Sequence, residues 1–380
     1  MSSVEREPSA AALREEVIRL GPWHIDIEVT PEVSTRAFLD APAGTYPESF
    51  GKIGFYDPRE GFLGRLRRMF PRGLEGRSVL DCACNCGAHL LYAKDSGAGR
   101  CLGFDVRDHW IEQARFLARH RKAEDVRFEV ADLYELSSLD TGPFEITLFF
   151  GIFYHLPDPV TGLKLAAGLT EELLLLKTAT KAGHPDGSLV FSPESPTQLM
   201  SGTYGISWFP TGPRVLTAIL NWLGFPEVRC AMWRHGPKQR DDLDLLQILA
   251  ARTPGYFDAW DAARPDGAPG IAEAIETCTP PGSTVLVIYS DGPVELHSRT
   301  AIHVEADRVQ AQAERLRAQG GGYLAVPAQE LASLGGIPGK LPAELGGAEV
   351  VLDDATCRVY ALHAAGEESR SRLAGVTASW

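Results

Sequence analysis

Apolar residues first recur at helical spacing near the start of the chain. Leu13, Val17 and Leu20 share one face of a helix that Ser9 is placed to cap and Gly21-Pro22 to end. Trp23–Ile27 alternates between apolar and polar positions and reads as a strand. Residues 40–61, dense in Gly, Pro and aromatics, read as an ordered loop. From Ser78 the pattern changes to short apolar runs separated by amphipathic stretches. Strands are expected at 78–82, 101–106, 126–130, 145–150 and 188–192, and helices at 89–94, 110–120 and 160–181. Thr211 and Pro213 open a further helix that Gly224 closes. Strands spaced by helices demand parallel pairing with right-handed crossovers, which gives an α/β, doubly wound sheet. Two apolar runs at 227–234 and 243–251, joined by a polar loop, predict an antiparallel hairpin at one sheet edge. Residues 253–283 are rich in Pro, Gly and Ala and read as a connector with a short helix at 271–276. Strands at 284–289, 323–326 and 358–363 and a helix at 307–319 then predict a smaller C-terminal α/β domain.

A length of 380 residues agrees with two domains. The boundaries expected from the pattern are an N-terminal cap or lid over 1–60, a main domain over 61–252, a linker over 253–283 and a small domain over 284–380. The formal net charge of −13 weighs against broad nucleic-acid binding. No run approaches the roughly 20 apolar residues that span a bilayer, so a membrane role is not expected. The first ten residues hold no apolar signal core, and seven cysteines in so long a chain suit a reducing compartment, so a cytoplasmic location is expected.

The strongest local chemistry lies in Val79-Leu80-Asp81-Cys82-Ala83-Cys84-Asn85-Cys86-Gly87, between the first main-domain strand and a helix. A strand feeding a tight turn of small residues brings backbone N–H groups and a helix N-terminus close to a ligand. Asp105 ends the next strand, where an acid can accept both ribose hydroxyls of a nucleoside. Asp132 ends the third, where it can receive an exocyclic adenine amine. Val106, Leu133, Phe150 and Gly151 flank these strand ends. The alternating thiols Cys82, Cys84 and Cys86, with His89 beyond, admit a zinc reading, but they occupy variable slots of the loop and suit small apolar filling, so no metal is expected.

The ordered set resembles the class I S-adenosylmethionine-dependent methyltransferases. Their first motif, acid-x-Gly-x-Gly-x-Gly, reads Asp81-x-Ala83-x-Asn85-x-Gly87 here, with two glycines replaced. Phe150-Gly151-Ile152-Phe153-Tyr154-His155-Leu156-Pro157 is similar to the Gly-Val-x-Tyr-His-x-x-x-Pro segment of the tRNA wobble-uridine methyltransferase-like family. Phe191–Pro196, which holds Glu194, and Trp208-Phe209-Pro210-Thr211 also look like that family. The resemblance covers roughly residues 20–250 and implies a Rossmann-like methyltransferase sheet. It implies S-adenosyl-L-methionine as cofactor, held by Asp81, Ala83, Cys84, Asn85, Gly87, Asp105, Val106, Asp132, Leu133, Phe150 and Gly151.

His155 is the candidate base and Tyr154 a neighbour able to hydrogen-bond substrate or cofactor. The alternatives are that His155 only orders its loop or lines the cofactor and that Tyr154 only packs. Trp23, His24, Glu194 and Trp208 are candidate substrate contacts, with packing an alternative for Trp23 and bracing of the lid an alternative for Glu194. Arg65, Arg67, Arg68 and Arg72 form a basic cluster that suits a phosphate contact or a solvated helix face. The expected function is O-methylation of a small-molecule acceptor, a sugar or natural product. The rivals are tRNA wobble-uridine methyl or carboxymethyl transfer and a cofactor-binding module without catalysis. The C-terminal domain shows no catalytic set; His297 and His303 are a weak basis for a metal site, and a homo-oligomer through this domain is an open expectation.

Overall fold

Ser9 accepts a hydrogen bond from the Ala12 N–H at 3.2 Å and so caps helix α1 (Ala10–Leu20), whose buried face is Leu13, Val17 and Leu20. This computed structural model describes residues 8–46, 69–70, 72–139, 141–184, 186–235, 243–257, 271–288, 300–304, 309–327, 348–353 and 357–363. Most of the 40–61 loop, the arginines at 65, 67 and 68, and His297 lie outside the described residues, as does the His303 side chain.

Contacts divide the chain into two units. The first holds residues 1–176 and 191–208, the second 177–190 and 209–380. Both differ from the boundaries expected at 60, 252 and 284, because residues 209–251 group with the C-terminal strands rather than with the cofactor strands.

In the first unit, α1 is followed by the short antiparallel pair β1 (Glu28–Thr30) and β2 (Val33–Ser34). The expected strand at Trp23–Ile27 is displaced to β1. The stretch is held by side-chain anchors instead: Trp23 Nε1 donates to the Val17 carbonyl at 2.7 Å, and Thr35 Oγ1 donates to the Ile25 carbonyl at 2.7 Å. Then come β3 (Val79–Cys82), α2 (Ala88–Asp95), β4 (Cys101–Asp105), α3 (Asp108–His120), β5 (Val126–Val130) and β6 (Phe144–Phe150). Strands β6, β3, β4 and β5 pair in that order, all parallel, with Asp81 opposite Gly103 and Asp105 opposite Val130. Chain order reverses direction at β3, between β4 and β6. Such a switch point opens a crevice at the carboxyl ends of the strands.

Leu80, Phe104, Leu148 and Phe149 are all buried in this sheet, each contributing about 1.5–3 kcal/mol by leaving water. Gln113 of α3, wholly buried, donates to the Leu20 and Pro22 carbonyls at 2.7 and 3.0 Å. That contact fastens the N-terminal segment to α3.

The expected helix over 160–181 is two elements. Helix α4 (Pro159–Gly168), capped by Asp158, gives way to strand β7 (Thr170–Lys181). The expected fifth strand near 188–192 becomes β8 (Leu189–Pro193), which among the described residues pairs with β9 (Ile206–Pro210) in a two-stranded sheet.

In the second unit, Pro213 sits in the first turn of α5 (Pro213–Trp222), with Gly212 rather than Thr211 as the cap. Thr211 Oγ1 instead accepts from the Ser188 N–H at 3.0 Å. Strands β10 (Glu227–His235) and β11 (Leu243–Ala251) form the expected antiparallel hairpin. Helix α6 (Ile271–Cys278), β12 (Thr284–Ile288), β13 (Thr300–Val304), α7 (Val309–Ala318), β14 (Gly322–Pro327), β15 (Glu349–Asp353) and β16 (Cys357–Leu362) follow. The sheet order is β15-β16-β14-β12-β13-β10-β11. The hairpin does not end at β10, because β13 pairs parallel to it with Trp233 opposite Ile302. Residues beyond 284 therefore extend the hairpin's sheet instead of building a separate one.

Candidate active site

The motif loop leaves β3 at Cys82 and must turn at once to start α2. Ala83, Asn85 and Gly87 all take the left-handed conformation, at φ 58°, 51° and 74°. These are the three glycine positions of the resembled motif, so the loop keeps a glycine-like path with two of its glycines replaced. Asn85 stabilises its own turn, its Oδ1 accepting from the Cys86 N–H at 2.8 Å. At Gly87 a Cβ would lie 2.5 Å from the Phe128 ring, so only glycine fits there. Cys82, Cys84 and Cys86 are buried, and burial pushes the Cys86 thiol up to about 12. They fill space beneath the loop, and among the described residues no group of His, Cys, Asp and Glu is placed to hold a metal.

The acids sit as expected at successive strand ends. Asp81 is 1% exposed and its Oδ2 has no hydrogen-bond partner among the described residues. Burial, with Asp105 nearby, holds its carboxyl well above the usual range. A buried orphan acceptor of this kind costs free energy unless a ligand donor meets it. Asp105 Oδ2 accepts from the Asn85 N–H and Oδ1 from the Arg107 N–H, each at 3.1 Å. Each oxygen keeps a further lone pair for a ribose hydroxyl. Burial lifts this carboxyl to about 6. Asp132 Oδ1 accepts from the Tyr134 N–H at 2.9 Å, and its Oδ2 accepts from the Tyr204 hydroxyl. The orphan acid, the small left-handed loop and the paired acids fit S-adenosylmethionine. Val106 is exposed beside Asp105, whereas Leu133 is 2% exposed and packs inward, so its side chain is core and not a cofactor contact.

Beyond β6, Gly151 turns at φ 70° and Phe153–His155 form one short helical turn. The half-buried His155 ring lies 4.0 Å from that of Tyr154, centroid to centroid. Its Nδ1 is 2.8 Å from Glu194 Oε2, and the Ser207 hydroxyl donates to the same oxygen at 2.9 Å. The Gly202 N–H lies 3.1 Å from Nδ1. A Cβ at Gly202 would come within 2.8 Å of the His155 Cβ and carbonyl oxygen, so this close approach requires glycine.

The segment after Glu194 is held further by Arg107, whose Nη2 donates to the Ser201 and Gln198 carbonyls at 2.6 and 3.1 Å. Glu194, placed in the sequence reading as a substrate contact, is thus spent on His155. Trp23 is fully buried and is core, not a substrate contact. His24 is half-buried in the same stretch; Trp208 is half-buried and edge-on to the exposed Phe191 at 5.4 Å. Sequence reasoning missed Gly202, Tyr204 and Ser207, which lie in no motif, and Arg107, whose one signal is its place two residues after Asp105. His89 is a further miss as a site residue. Its Nδ1 is 4.0 Å from Asp81 Oδ2 and its ring meets Phe150 edge-on.

Residues 74–202 match a family described as a methyltransferase domain. A tRNA U34 carboxymethyltransferase of Syntrophotalea carbinolica is 30% identical over 159 residues, 41% of this chain and 47% of that protein. A ubiquinone biosynthesis O-methyltransferase of Neisseria meningitidis serogroup C is 25% identical over 119 residues, 31% of this chain and 44% of that protein. The chain thus spans about half the length of the curated relatives it matches. Among solved structures, the N-terminal domain of EvdMO1 with SAH bound aligns over 64% of this chain and 97% of that one, at 18% identity and a TM-score of 0.49. No helix among the described residues is long and apolar enough to cross a membrane. Over residues 74–202 the chain carries a class I S-adenosylmethionine-dependent methyltransferase domain.

Proposed function

We propose that the protein methylates a hydroxyl of a small molecule, a sugar or natural product, from S-adenosylmethionine. The observation that carries this reading is His155: a half-buried imidazole, held in place just past the carboxyl end of β6, on the strand edge that also carries Asp81 and Asp105. When bound, S-adenosylmethionine supplies a methyl group on a sulfonium sulfur. Asp105 holds the ribose and the left-handed loop approaches the amino-acid end. The protein's main task is to align the acceptor oxygen with the methyl carbon. His155 takes the acceptor's proton as the oxygen becomes nucleophilic, a contribution of typically about 10²–10⁴ in rate.

Calorimetry with S-adenosylhomocysteine tests the cofactor half. Asp105→Ala should weaken binding roughly 10–150-fold, the loss of a charged hydrogen bond worth about 1.5–3 kcal/mol. Unchanged affinity would remove Asp105 from the site. For the acceptor half, His155→Ala should lower kcat at least about 100-fold with cofactor affinity nearly unchanged.

A second reading is wobble-uridine methyl or carboxymethyl transfer to tRNA, favoured by the similarity to the Syntrophotalea carbinolica enzyme. The charge of −13 opposes it. Tight tRNA binding with a steep salt slope, lost on replacing Arg65, Arg67 and Arg68 by alanine, would favour it over the small molecule. Bound cofactor without turnover on any acceptor would leave a binding module. Association through the C-terminal unit is a separate proposal that the solution mass tests.

A further inference from the structure

Glu194 touches His155 on the nitrogen that faces away from any acceptor placed at Nε2. We propose that Glu194 is the positioning residue of this site: it fixes His155 as the Nδ1–H tautomer and keeps Nε2 free as the base for the acceptor hydroxyl. The proposal rests on the reading of His155 as the base.

Two arrangements compete at Nδ1. The Gly202 N–H, at 3.1 Å, suits a bare Nδ1 lone pair. Glu194 Oε2, at 2.8 Å, suits a protonated Nδ1. An ionised carboxylate and a nitrogen lone pair at that distance repel, so Glu194 decides the matter if it is charged. Three facts say that it is. The Ser207 hydroxyl donates to Oε2 at 2.9 Å, marking that oxygen as an acceptor. The Gly202 N–H lies beside the Glu194 carboxylate and favours its charged form, so this donor still faces a negative oxygen when Nδ1 is protonated. Burial alone would raise the Glu194 carboxyl, but the His155 hydrogen bond and charge, Ser207 and Gly202 outweigh it and leave it below its ordinary value.

Fixing Nδ1–H has a chemical consequence. The neutral ring can then accept a proton only at Nε2, and the carboxylate stabilises the imidazolium that forms. In the transfer the acceptor oxygen forms the new O–C bond while the S–C bond breaks and leaves its electron pair on sulfur. The acceptor's proton passes to Nε2 and later to water. Glu194 itself exchanges no proton.

The tautomer is directly observable. In protein carrying ¹⁵N-labelled histidine, long-range proton–nitrogen spectra of neutral His155 should show Nδ1 protonated and Nε2 bare. Glu194→Ala should move the ring towards Nε2–H, the form favoured in water. Glu194→Gln, whose amide oxygen still accepts from Nδ1, should keep the tautomer but lower kcat, and both variants should leave acceptor KM within about threefold while kcat falls about 100-fold in the alanine variant. Wild-type His155 found as Nε2–H would overturn the proposal whether or not any variant folds, as would an Nδ1–H ring unmoved by Glu194→Ala. Calorimetry with S-adenosylhomocysteine on the same samples separates this failure from failure of the methyltransferase reading: a tautomer as expected without any cofactor binding would sink the latter alone.

Discussion

Tyr204 gives its hydroxyl hydrogen bond to Asp132, joining the segment that follows Glu194 to the end of the third cofactor strand. Burial and the Asp132 carboxylate together keep the phenol proton in place. Arg107, two residues after Asp105, grips the same segment by two carbonyls. Asp132 and Arg107, both next to strand ends, therefore hold the backbone that orders His155.

Removing the Tyr204 hydroxyl should loosen that segment without unfolding the domain. For a partly exposed bond worth about 0.5–1.5 kcal/mol, Tyr204→Phe should speed S-adenosylhomocysteine release roughly 2–12-fold in stopped-flow measurements. An unchanged release rate would reduce Tyr204 to a surface contact.

Cofactor affinity should rise with pH. Ribose hydroxyls donate to an ionised Asp105, whose carboxyl burial lifts to about 6 against the pull of the Arg107 and Asn85 N–H groups and the Arg107 charge. At pH 5 about a tenth of sites with that pKa are ionised, so binding should be about tenfold weaker than at pH 7. The ligand-free fold responds in the opposite sense. A raised carboxyl favours folding below its unfolded value near 3.9, and that contribution is lost as pH rises through about 6. Titration calorimetry at several pH values should give a midpoint near 6 that vanishes in Asp105→Asn.

The two replaced glycines should answer differently to being restored. Ala83 takes φ 58° with no side-chain hydrogen bond to help it. The left-handed cost of about 1–2 kcal/mol exceeds the extra entropy of glycine, about 0.5–1 kcal/mol, so Ala83→Gly should stabilise by up to about 1.5 kcal/mol in urea unfolding. Asn85→Gly gives up the Oδ1 bond to Cys86 and should gain nothing or lose stability. Equal gains from both would show that the Asn85 bond is inert.

Trp23 should matter to folding and not to binding. It is wholly buried and its indole N–H is satisfied by Val17. Trp23→Ala should cost about 3–5 kcal/mol in denaturant unfolding, while folded protein keeps its S-adenosylhomocysteine affinity. A large affinity loss in folded protein would return Trp23 to the site.

The placement of the candidate cofactor residues in the fold was legible because its signals are local. Asp81, Asp105 and Asp132 sit at strand ends whose apolar runs announce them, and Asn85 carries its own reason for a left-handed turn. Strand β7 was not legible, because Leu173–Leu176 form an unbroken apolar run in which strand alternation is absent; followed by Lys and Ala, it reads as helix. The partnership of Glu194 with His155 spans 39 residues and arises when a loop folds back, so no periodicity announces it. Trp23 misled because an aromatic beside a histidine looks like a ligand contact until its neighbours are known.

The backbone passes between the two units three times, after Leu176, after Val190 and after Trp208. Neither unit can be cut out as one continuous piece of gene. A break at 176 would discard Glu194 and Ser207, and a break at 208 would leave 177–190 attached to a half from which its own neighbours had been removed. Each half therefore depends on a segment that the other interrupts, and a single cut in the gene can neither excise nor exchange one of them whole.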